Sequence, residues 1–220
     1  MKIIVTGTSR GIGKRAAERY MELGHFVYGI DKDDGTIDNK NYKHFKVDIR
    51  FADKLPDITD AEVLFNNAGL QNSEDDIENN LKGTINVTEK YIKSNNALKS
   101  VLFNASSSAI TGQEFPIYSA SKAGLIGYMK NTAIRLAPRG VTVNAISLGG
   151  VFTPLNDCVI NDSECFKKIM DVTPLKKWMT ADEVADWVLF LTLTNRSMSG
   201  QNLLIDNGEY DLNSTFVWKE

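Results

Sequence analysis

The tyrosine and the lysine of the stretch YSASK, Tyr118 and Lys122, lie four positions apart. On a helix, residues with this spacing meet on one face, so the lysine ammonium can sit beside the phenol. A nearby positive charge favours the phenolate and lowers the phenol pKa from its ordinary value of about 10. The pair therefore predicts general acid/base chemistry at Tyr118, with Lys122 lowering the phenol pKa.

The same spacing occurs twice more, in YGIDK (28–32) and YKHFK (42–46), so spacing alone is weak evidence. Both of these pairs fall on or beside predicted strands, where the two positions lie roughly 13 Å apart. YSASK instead lies in a helix predicted over 117–137, which ends before a proline and a glycine. Only in YSASK can the ammonium approach its tyrosine.

Short apolar runs alternate with longer amphipathic segments along the whole chain. This alternation predicts an α/β fold with a parallel sheet covered by helices on both faces, and right-handed crossovers favour a doubly wound, Rossmann-type sheet of about seven strands. Ligands of such sheets bind beyond the carboxyl ends of the strands. The predicted strands are 2–6, 25–30, 43–47, 61–66, 100–106, 141–147 and 202–206, and the main predicted helices are 13–24, 74–95, 117–137 and 181–192.

Composition is that of an ordinary globular protein, with 42% hydrophobic and 24% charged residues among 220. We expect a single dinucleotide-binding and catalytic domain over 1–220, with a substrate loop at about 148–179. The net charge of -3 gives no reason to expect nucleic acid or a membrane as a partner, and the absence of a leader pattern makes the cytoplasm the default location. No metal site is predicted, and Cys158 and Cys165 are expected to be free thiols.

A glycine-rich turn, TGTSRGIG (6–13), follows the first predicted strand and opens the first predicted helix. Gly7 permits a tight exit turn, and Gly11 and Gly13 leave room for a pyrophosphate to approach the helix N-terminus. The spacing differs from the usual G-x-G-x-x-G fingerprint. The interpretation therefore depends on the position of the turn after the first predicted strand as well as on its glycines. The turn predicts dinucleotide binding.

Asp31, at the end of the second predicted strand, can accept hydrogen bonds from an adenosine ribose and would repel a 2′-phosphate. It therefore favours NAD over NADP. Arg10 and Lys32 argue for NADP, because either cation can meet a phosphate. NAD is the expected cofactor, with NADP the less favoured alternative.

Five motifs together resemble those of the classical short-chain dehydrogenase/reductase family: TGTSRGIG, NNAG (66–69), NASS (104–107), YSASK and VNAIS (143–147). They occur in the family's order over nearly the whole chain. The resemblance implies a hydride transfer between a nicotinamide cofactor and a small-molecule secondary alcohol or ketone, with Lys122 also holding the nicotinamide ribose. It does not fix the physiological direction.

The resemblance also supplies two further catalytic candidates. Ser107 matches the serine that polarises the substrate carbonyl. It lies eleven positions before Tyr118, where the family usually has thirteen, so Ser106 and Ser108 remain alternatives. Asn80 matches the helix asparagine that holds a water in a proton relay to the lysine.

Cofactor contacts follow by position along the motifs. The chain has LGG (148–150) where the family usually has Pro-Gly, so the geometry of that loop is less certain. Besides Tyr118 and Lys122, the predicted cofactor-binding residues are Gly7, Ser9, Arg10, Gly11, Ile12, Gly13, Asp31, Asp48, Ile49, Asn66, Ala68, Gly69, Gly149, Val151 and Thr153.

The substrate should lie over the nicotinamide, between residues 108–117 and 152–178, with no charged residue marking a substrate anion. The candidate wall residues are Phe115, Phe152, Leu155, Ile160, Phe166, Met170 and Trp178. Family members usually form homodimers or homotetramers, and the tail 210–220 could cover the pocket or meet another subunit. Two other readings stay open: a dinucleotide-sensing regulator without turnover, and an epimerase or dehydratase of the extended relatives.

Overall fold

The computed structural model describes residues 1–210 and 212, so the end of the predicted tail lies outside the described residues. Seven strands make up its sheet, and all the neighbouring strands are parallel. The strands are β1 (Lys2–Thr6), β2 (Phe26–Asp31), β3 (Tyr42–Lys46), β4 (Val63–Asn66), β5 (Ser100–Asn104), β6 (Thr142–Leu148) and β7 (Asn202–Ile205). Their order across the sheet is β3-β2-β1-β4-β5-β6-β7, which confirms the predicted doubly wound arrangement.

Helices cover both faces of this sheet. The α-helices are α1 (Gly11–Glu22), α2 (Thr84–Ser94), α3 (Ser108–Thr111), α4 (Pro116–Leu136), α5 (Asp157–Ile160), α6 (Ser163–Val172) and α7 (Ala181–Leu189). Short 3-10 turns cover Ala52–Lys54, Ala137–Arg139 and Pro154–Asn156, and π-helical segments cover Ile77–Gly83 and Phe190–Thr194.

The apolar run of β1 explains why this strand lies in the interior of the sheet. Ile4 packs into the core cluster that includes side chains of α2 and α4, whereas Ile3 and Val5 pack into the cluster that includes side chains of α1 and α7. Successive side chains of a strand point to opposite faces. A strand buried on both faces therefore needs an unbroken apolar run rather than an alternating one.

The strand order reverses at β1, because β2 and β3 lie on one side of it and β4 to β7 on the other. The connections after β1 and after β4 consequently leave in opposite directions. This divergence opens a crevice beyond the carboxyl ends of the two strands, where doubly wound sheets bind their ligands.

The structure refines several predicted boundaries. The helix predicted over 74–95 is divided into the π-helical segment Ile77–Gly83 and α2. The helix predicted from residue 13 begins at Gly11, so the glycine turn itself forms the first turn of α1. No helix among residues 1–210 is long and apolar enough to cross a membrane.

Candidate functional site

A cavity of about 880 Å³ fills the crevice and continues towards α6. Its walls come from the glycine turn, the carboxyl ends of β2, β4 and β5, the start of α4 and the segment after β6. Most of the predicted cofactor residues line it. They are Gly7, Arg10, Gly11, Ile12, Asp31, Asp48, Ile49, Ala68, Gly69, Tyr118, Lys122, Gly149, Val151 and Thr153.

The glycine turn forms a cradle that larger residues would fill. Gly7 and Gly11 have φ angles of +75° and +57°, in the region that favours glycine. A Cβ on Gly13 would lie 2.1 Å from the carbonyl oxygen of Gly7. Arg10 provides no side-chain cap for α1, so the first N–H groups of the helix remain available to an anion. The cradle thus fits the pyrophosphate of a dinucleotide.

Hydrogen bonds of Asn67, the first residue after β4, connect this turn to the loop that follows β4. The Thr6 hydroxyl oxygen accepts the N–H groups of Asn67 and Ala68, at 2.9 and 3.0 Å. The Asn67 amide donates in return to the carbonyl oxygens of Thr6 and Gly7, at 3.0 and 3.3 Å. Asn67 lines the cavity, whereas the predicted Asn66 lies behind the wall and donates to Thr88. The signal for Asn67 was its place in NNAG, one residue further along.

Ser9 and Gly13 also lie outside the set of cavity-lining residues, but both shape the cradle. The N–H of Ser9 donates to Asp31 Oδ2 at 2.9 Å, which fixes the carboxylate at the end of β2. Asp48 is held by Arg50, whose guanidinium reaches its Oδ2 at 2.8 Å and holds the pKa of that carboxyl below its ordinary value.

The helix α4 presents Tyr118 and Lys122 to the cavity, and both side chains are buried. The Lys122 ammonium lies 5.7 Å from the centre of the Tyr118 ring and donates to the carbonyl oxygen of Asn104 at 2.9 Å. In contrast, the Tyr28 hydroxyl donates to Asp60, and the Tyr42 hydroxyl is hydrogen-bonded to Thr8 and His44. The structure therefore brings the helical pair together at the cavity, as context predicted.

The pKa of Tyr118 is raised, whereas the sequence predicts that it is lowered. Burial raises the pKa of the phenol above its ordinary value, and the nearby Glu114 raises it further, whereas the Ser106 hydroxyl lowers it. Burial also lowers the pKa of Lys122 to about 8, against the opposing charges of Asp76 and Glu114. A phenol in a low-dielectric site resists ionisation. The protein's own groups thus do not produce the expected low pKa, and its depression remains a prediction for the dinucleotide complex.

The three serines after β5 occupy different positions. Ser106 lines the cavity, and its oxygen accepts hydrogen bonds from the backbone N–H of Ser108 at 3.2 Å and from the Ser108 hydroxyl at 2.9 Å. Ser107 is fully buried, and its hydroxyl has no hydrogen-bond partner among the described residues. The structure therefore places Ser106, rather than the predicted Ser107, on the cavity wall. The catalytic serine stays a prediction, for which Ser106 is the better-placed candidate.

Asn80 lies fully buried in the π-helical segment and not on the cavity wall. Its side chain accepts the N–H of Leu70 at 2.7 Å and donates to the carbonyl oxygen of Leu70 at 2.9 Å and to Ser121 at 3.2 Å. A Cβ on Gly69 would lie within 3.4 Å of both Asn80 Oδ1 and the Lys122 ammonium. The side chain of Asn80 thus holds the loop after β4 beside Lys122, and its relay role remains a prediction.

Three acidic side chains near this part of the cavity were not predicted from the sequence. Asp76 is buried, and one oxygen of each of Asp76, Glu114 and Glu209 has no hydrogen-bond partner among the described residues. Burial and, after it, the charge of Asp206 raise the pKa of Glu209 to about 7. Burial likewise raises the pKa of Glu114. Only the position of Glu114, four residues before Tyr118, could have signalled its proximity.

The end of the cavity where the sequence predicts the substrate, called the substrate end, is bounded by the segment after β6. Of the predicted wall residues, Phe115, Leu155 and Trp178 line the cavity, while Phe152 and Phe166 pack against Trp178 with ring centres 5.9 and 5.3 Å away. The helix α6 contributes other side chains, which sequence reasoning did not select. They are Cys165, Lys168, Ile169 and Val172.

Comparison with known proteins matches the chain to one family model over residues 7–209, described as Enoyl-(Acyl carrier protein) reductase. A 3-oxoacyl-(acyl-carrier-protein) reductase of Buchnera aphidicola is 32% identical, and the alignment covers 94% of this chain and 96% of that protein.

Solved structures show the same architecture. An oxidoreductase of the short-chain dehydrogenase/reductase family from Burkholderia thailandensis superimposes with a TM-score of 0.88 at 27% identity, covering 96% of this chain and 93% of that one. The ligand-free aldohexose dehydrogenase of Thermoplasma acidophilum superimposes with a TM-score of 0.86 at 25% identity, covering 99% and 97% of the two chains. The similarity extends over the whole sheet and its helices.

Proposed function

Because the chain belongs to the classical short-chain dehydrogenase/reductase family, we propose that it transfers a hydride between a nicotinamide dinucleotide and a secondary alcohol or ketone. The observation that carries this proposal is the buried Tyr118 and Lys122 on one turn of α4, both lining the cavity beside the glycine cradle. The dinucleotide, when bound, supplies the hydride donor or acceptor.

Tyr118 supplies the proton chemistry. In ketone reduction its hydroxyl donates a proton to the carbonyl oxygen, and in alcohol oxidation the phenolate accepts the hydroxyl proton. Lys122 stabilises the phenolate through its positive charge, because the ammonium is held within the same buried site. Ser106, on the cavity wall, would donate a hydrogen bond to the substrate oxygen and so orient the reacting group.

We take a 3-oxoacyl thioester as the first substrate to test and NAD as the expected cofactor. The name of the Buchnera aphidicola relative supports this substrate class, because its 3-oxo group is a ketone that Tyr118 could protonate. Val159, Ile169 and Val172 on the wall offer apolar contacts to an acyl chain. Asp31 supports NAD, since its fixed carboxylate would face the adenosine ribose.

The proposal is tested by replacing the phenol alone. Tyr118→Phe should reduce the rate of ketone reduction by at least roughly 100-fold, because it removes the proton donor. Binding of the dinucleotide should be retained. The measurements are the absorbance of the reduced nicotinamide during turnover and a fluorescence titration with the dinucleotide.

The matched control is Tyr28→Phe, which removes a hydroxyl from a tyrosine with the same lysine spacing but outside the cavity. It should leave the rate within about twofold of the parent. A near-normal rate for Tyr118→Phe would refute the acid/base assignment. Dinucleotide binding without turnover of any ketone or alcohol would instead support a sensing protein.

A further inference from the structure

Two cations line the adenosine end of the cavity, Arg10 and Lys32. Either one, if unengaged, could bind the 2′-phosphate of NADP. Asp31 alone does not settle the preference, because its negative charge is opposed by these two positive charges. The selectivity of this end therefore depends on what holds the two cations.

The Asp33 carboxylate contacts both. Its Oδ1 lies 2.9 Å from the Lys32 ammonium and its Oδ2 lies 3.6 Å from the Arg10 guanidinium. Each carboxylate oxygen thus serves a different cation. Asp33 also lines the cavity, so the paired charges lie where a ribose phosphate would have to approach.

The backbone of Asp33 is held from three directions. Its N–H donates to Asp31 Oδ1 at 3.0 Å, and its carbonyl oxygen lies 3.0 Å from His44 Nε2 and 3.4 Å from the Ser9 hydroxyl. His44 is itself hydrogen-bonded through Nδ1 to the Tyr42 hydroxyl at 3.0 Å. These bonds place the Asp33 carboxylate between the two cations without relying on the exposed ion pairs.

The charges of Arg10, Asp31, Lys32 and Asp33 balance, and the third carboxylate on this part of the wall, Asp48, is paired with Arg50. Asp31 and Asp33 carry two negative charges, and Arg10 and Lys32 carry two positive ones. The Lys32 hydrogen bond holds the pKa of Asp33 below its ordinary value, so the carboxylate is ionised near neutral pH. A neutral ribose hydroxyl is compatible with this balance, whereas a 2′-phosphate must compete with Asp33 for each cation.

We propose that Asp33 is a positioning residue for cofactor choice, which holds Arg10 and Lys32 away from a 2′-phosphate and so makes NAD the preferred dinucleotide. This inference rests on the proposed dinucleotide-dependent function and deepens it. It assigns selectivity to a carboxylate that would contact the two cations and not the cofactor.

The test is the ratio of NADP to NAD affinity, measured by fluorescence titration without substrate. The parent protein should bind NAD more tightly than NADP. Asp33→Asn breaks two exposed ion pairs and so frees Arg10 and Lys32. NADP affinity relative to NAD affinity should then rise by roughly five- to thirtyfold. Asp34→Asn is the matched control, because Asp34 is 87% exposed, pairs with Lys46 at 2.8 Å and does not line the cavity. It should change the ratio by less than about twofold.

Further variants separate charge pairing from a structural role. Asp33→Glu keeps the charge and should keep the NAD preference. Adding Arg10→Ala or Lys32→Ala to Asp33→Asn should remove part of the gain, and high salt should reduce it.

Three outcomes would overturn the inference: an NADP preference in the parent protein, an unchanged ratio in Asp33→Asn, or an equal change in Asp34→Asn. Failure of the parent to bind either dinucleotide would refute the proposed function itself. The two failures are therefore distinguishable.

Discussion

Different contacts support the two ends of the cavity: the dinucleotide end, at the glycine turn, and the substrate end, beside α6. At the dinucleotide end, α1 buries five of its residues, and reciprocal hydrogen bonds between Thr6 and Asn67 connect the glycine turn to the loop after β4. At the substrate end, α6 contributes to the wall but has no buried residue. The first end is therefore firmly attached to the sheet. The second end is a wall with little core packing, which can change without disturbing the core.

Gly13→Ala should have the largest effect, because it places a methyl group 2.1 Å from the Gly7 carbonyl oxygen at the dinucleotide end. Neither backbone segment can move freely, so we expect a loss of about 3 kcal/mol in the free energy of unfolding. Dinucleotide affinity should fall with it. Chemical denaturation and a binding titration would measure the two effects.

Gly127→Ala provides the control for that substitution. Gly127 lies in the middle of α4, and a Cβ there would meet nothing within 4 Å. Because alanine favours the helix, this change should raise stability by about 0.5–1 kcal/mol. Similar losses in both variants would show that the glycine turn is no more constrained than an open helix surface.

Glu209→Gln should have an intermediate and pH-dependent effect. The folded-state pKa of Glu209, about 7, lies above the unfolded value. The contribution of the protonated carboxyl is thus fully present below the unfolded pKa and is lost as the pH rises through 7. At pH 8 the variant should be more stable than the parent by roughly 1–2 kcal/mol after allowance for solvent screening, and near pH 5 the difference should be smaller.

Thermal or chemical unfolding at several pH values would measure this dependence. Glu164→Gln is the control, because the Glu164 side chain is 79% exposed on α6. A constant difference between parent and Glu209→Gln from pH 5 to 8 would contradict a half-buried Glu209 that binds a proton near neutral pH.

Ile169→Ala should have the smallest effect on stability and should sharpen the contrast between the two ends. Ile169 is only half-buried in α6, so its truncation should cost less than about 1 kcal/mol. Since it lines the cavity, KM for an acyl substrate should rise severalfold while KM for the dinucleotide stays constant. Ile117→Ala, at an exposed position outside the wall, should change neither KM. A large stability loss at Ile169 would show that α6 belongs to the core.

The sequence predicted the dinucleotide end better than the substrate end because its signals are local. The strand predicted over 2–6 coincides with β1, and the glycines of the following turn have the backbone freedom that their spacing indicated. The doubly wound parallel sheet and the family are likewise confirmed. Local sequence could not separate Asn66 from Asn67, since which amide faces the cavity depends on how the loop leaves β4.

At the substrate end, the interactions that set the pKa values join distant parts of the chain. Glu209 follows β7, yet its charge is coupled to that of Glu114, which lies before α4. No spacing rule links these residues. The raised pKa of Tyr118 was missed for a related reason, because it comes from burial by the surrounding elements and from the charge of Glu114, which the Tyr–Lys spacing does not indicate.

The Thr6 hydroxyl affects how readily the loop after β4 exchanges its amide hydrogens with solvent. By accepting the N–H groups of both Asn67 and Ala68, it gives two adjacent loop amides a partner on β1, which should slow their exchange with solvent. Hydrogen exchange at these amides then requires the loop after β4 to move away from the end of β1. The floor of the crevice should therefore exchange more slowly than the wall formed by α6, which has no buried residue.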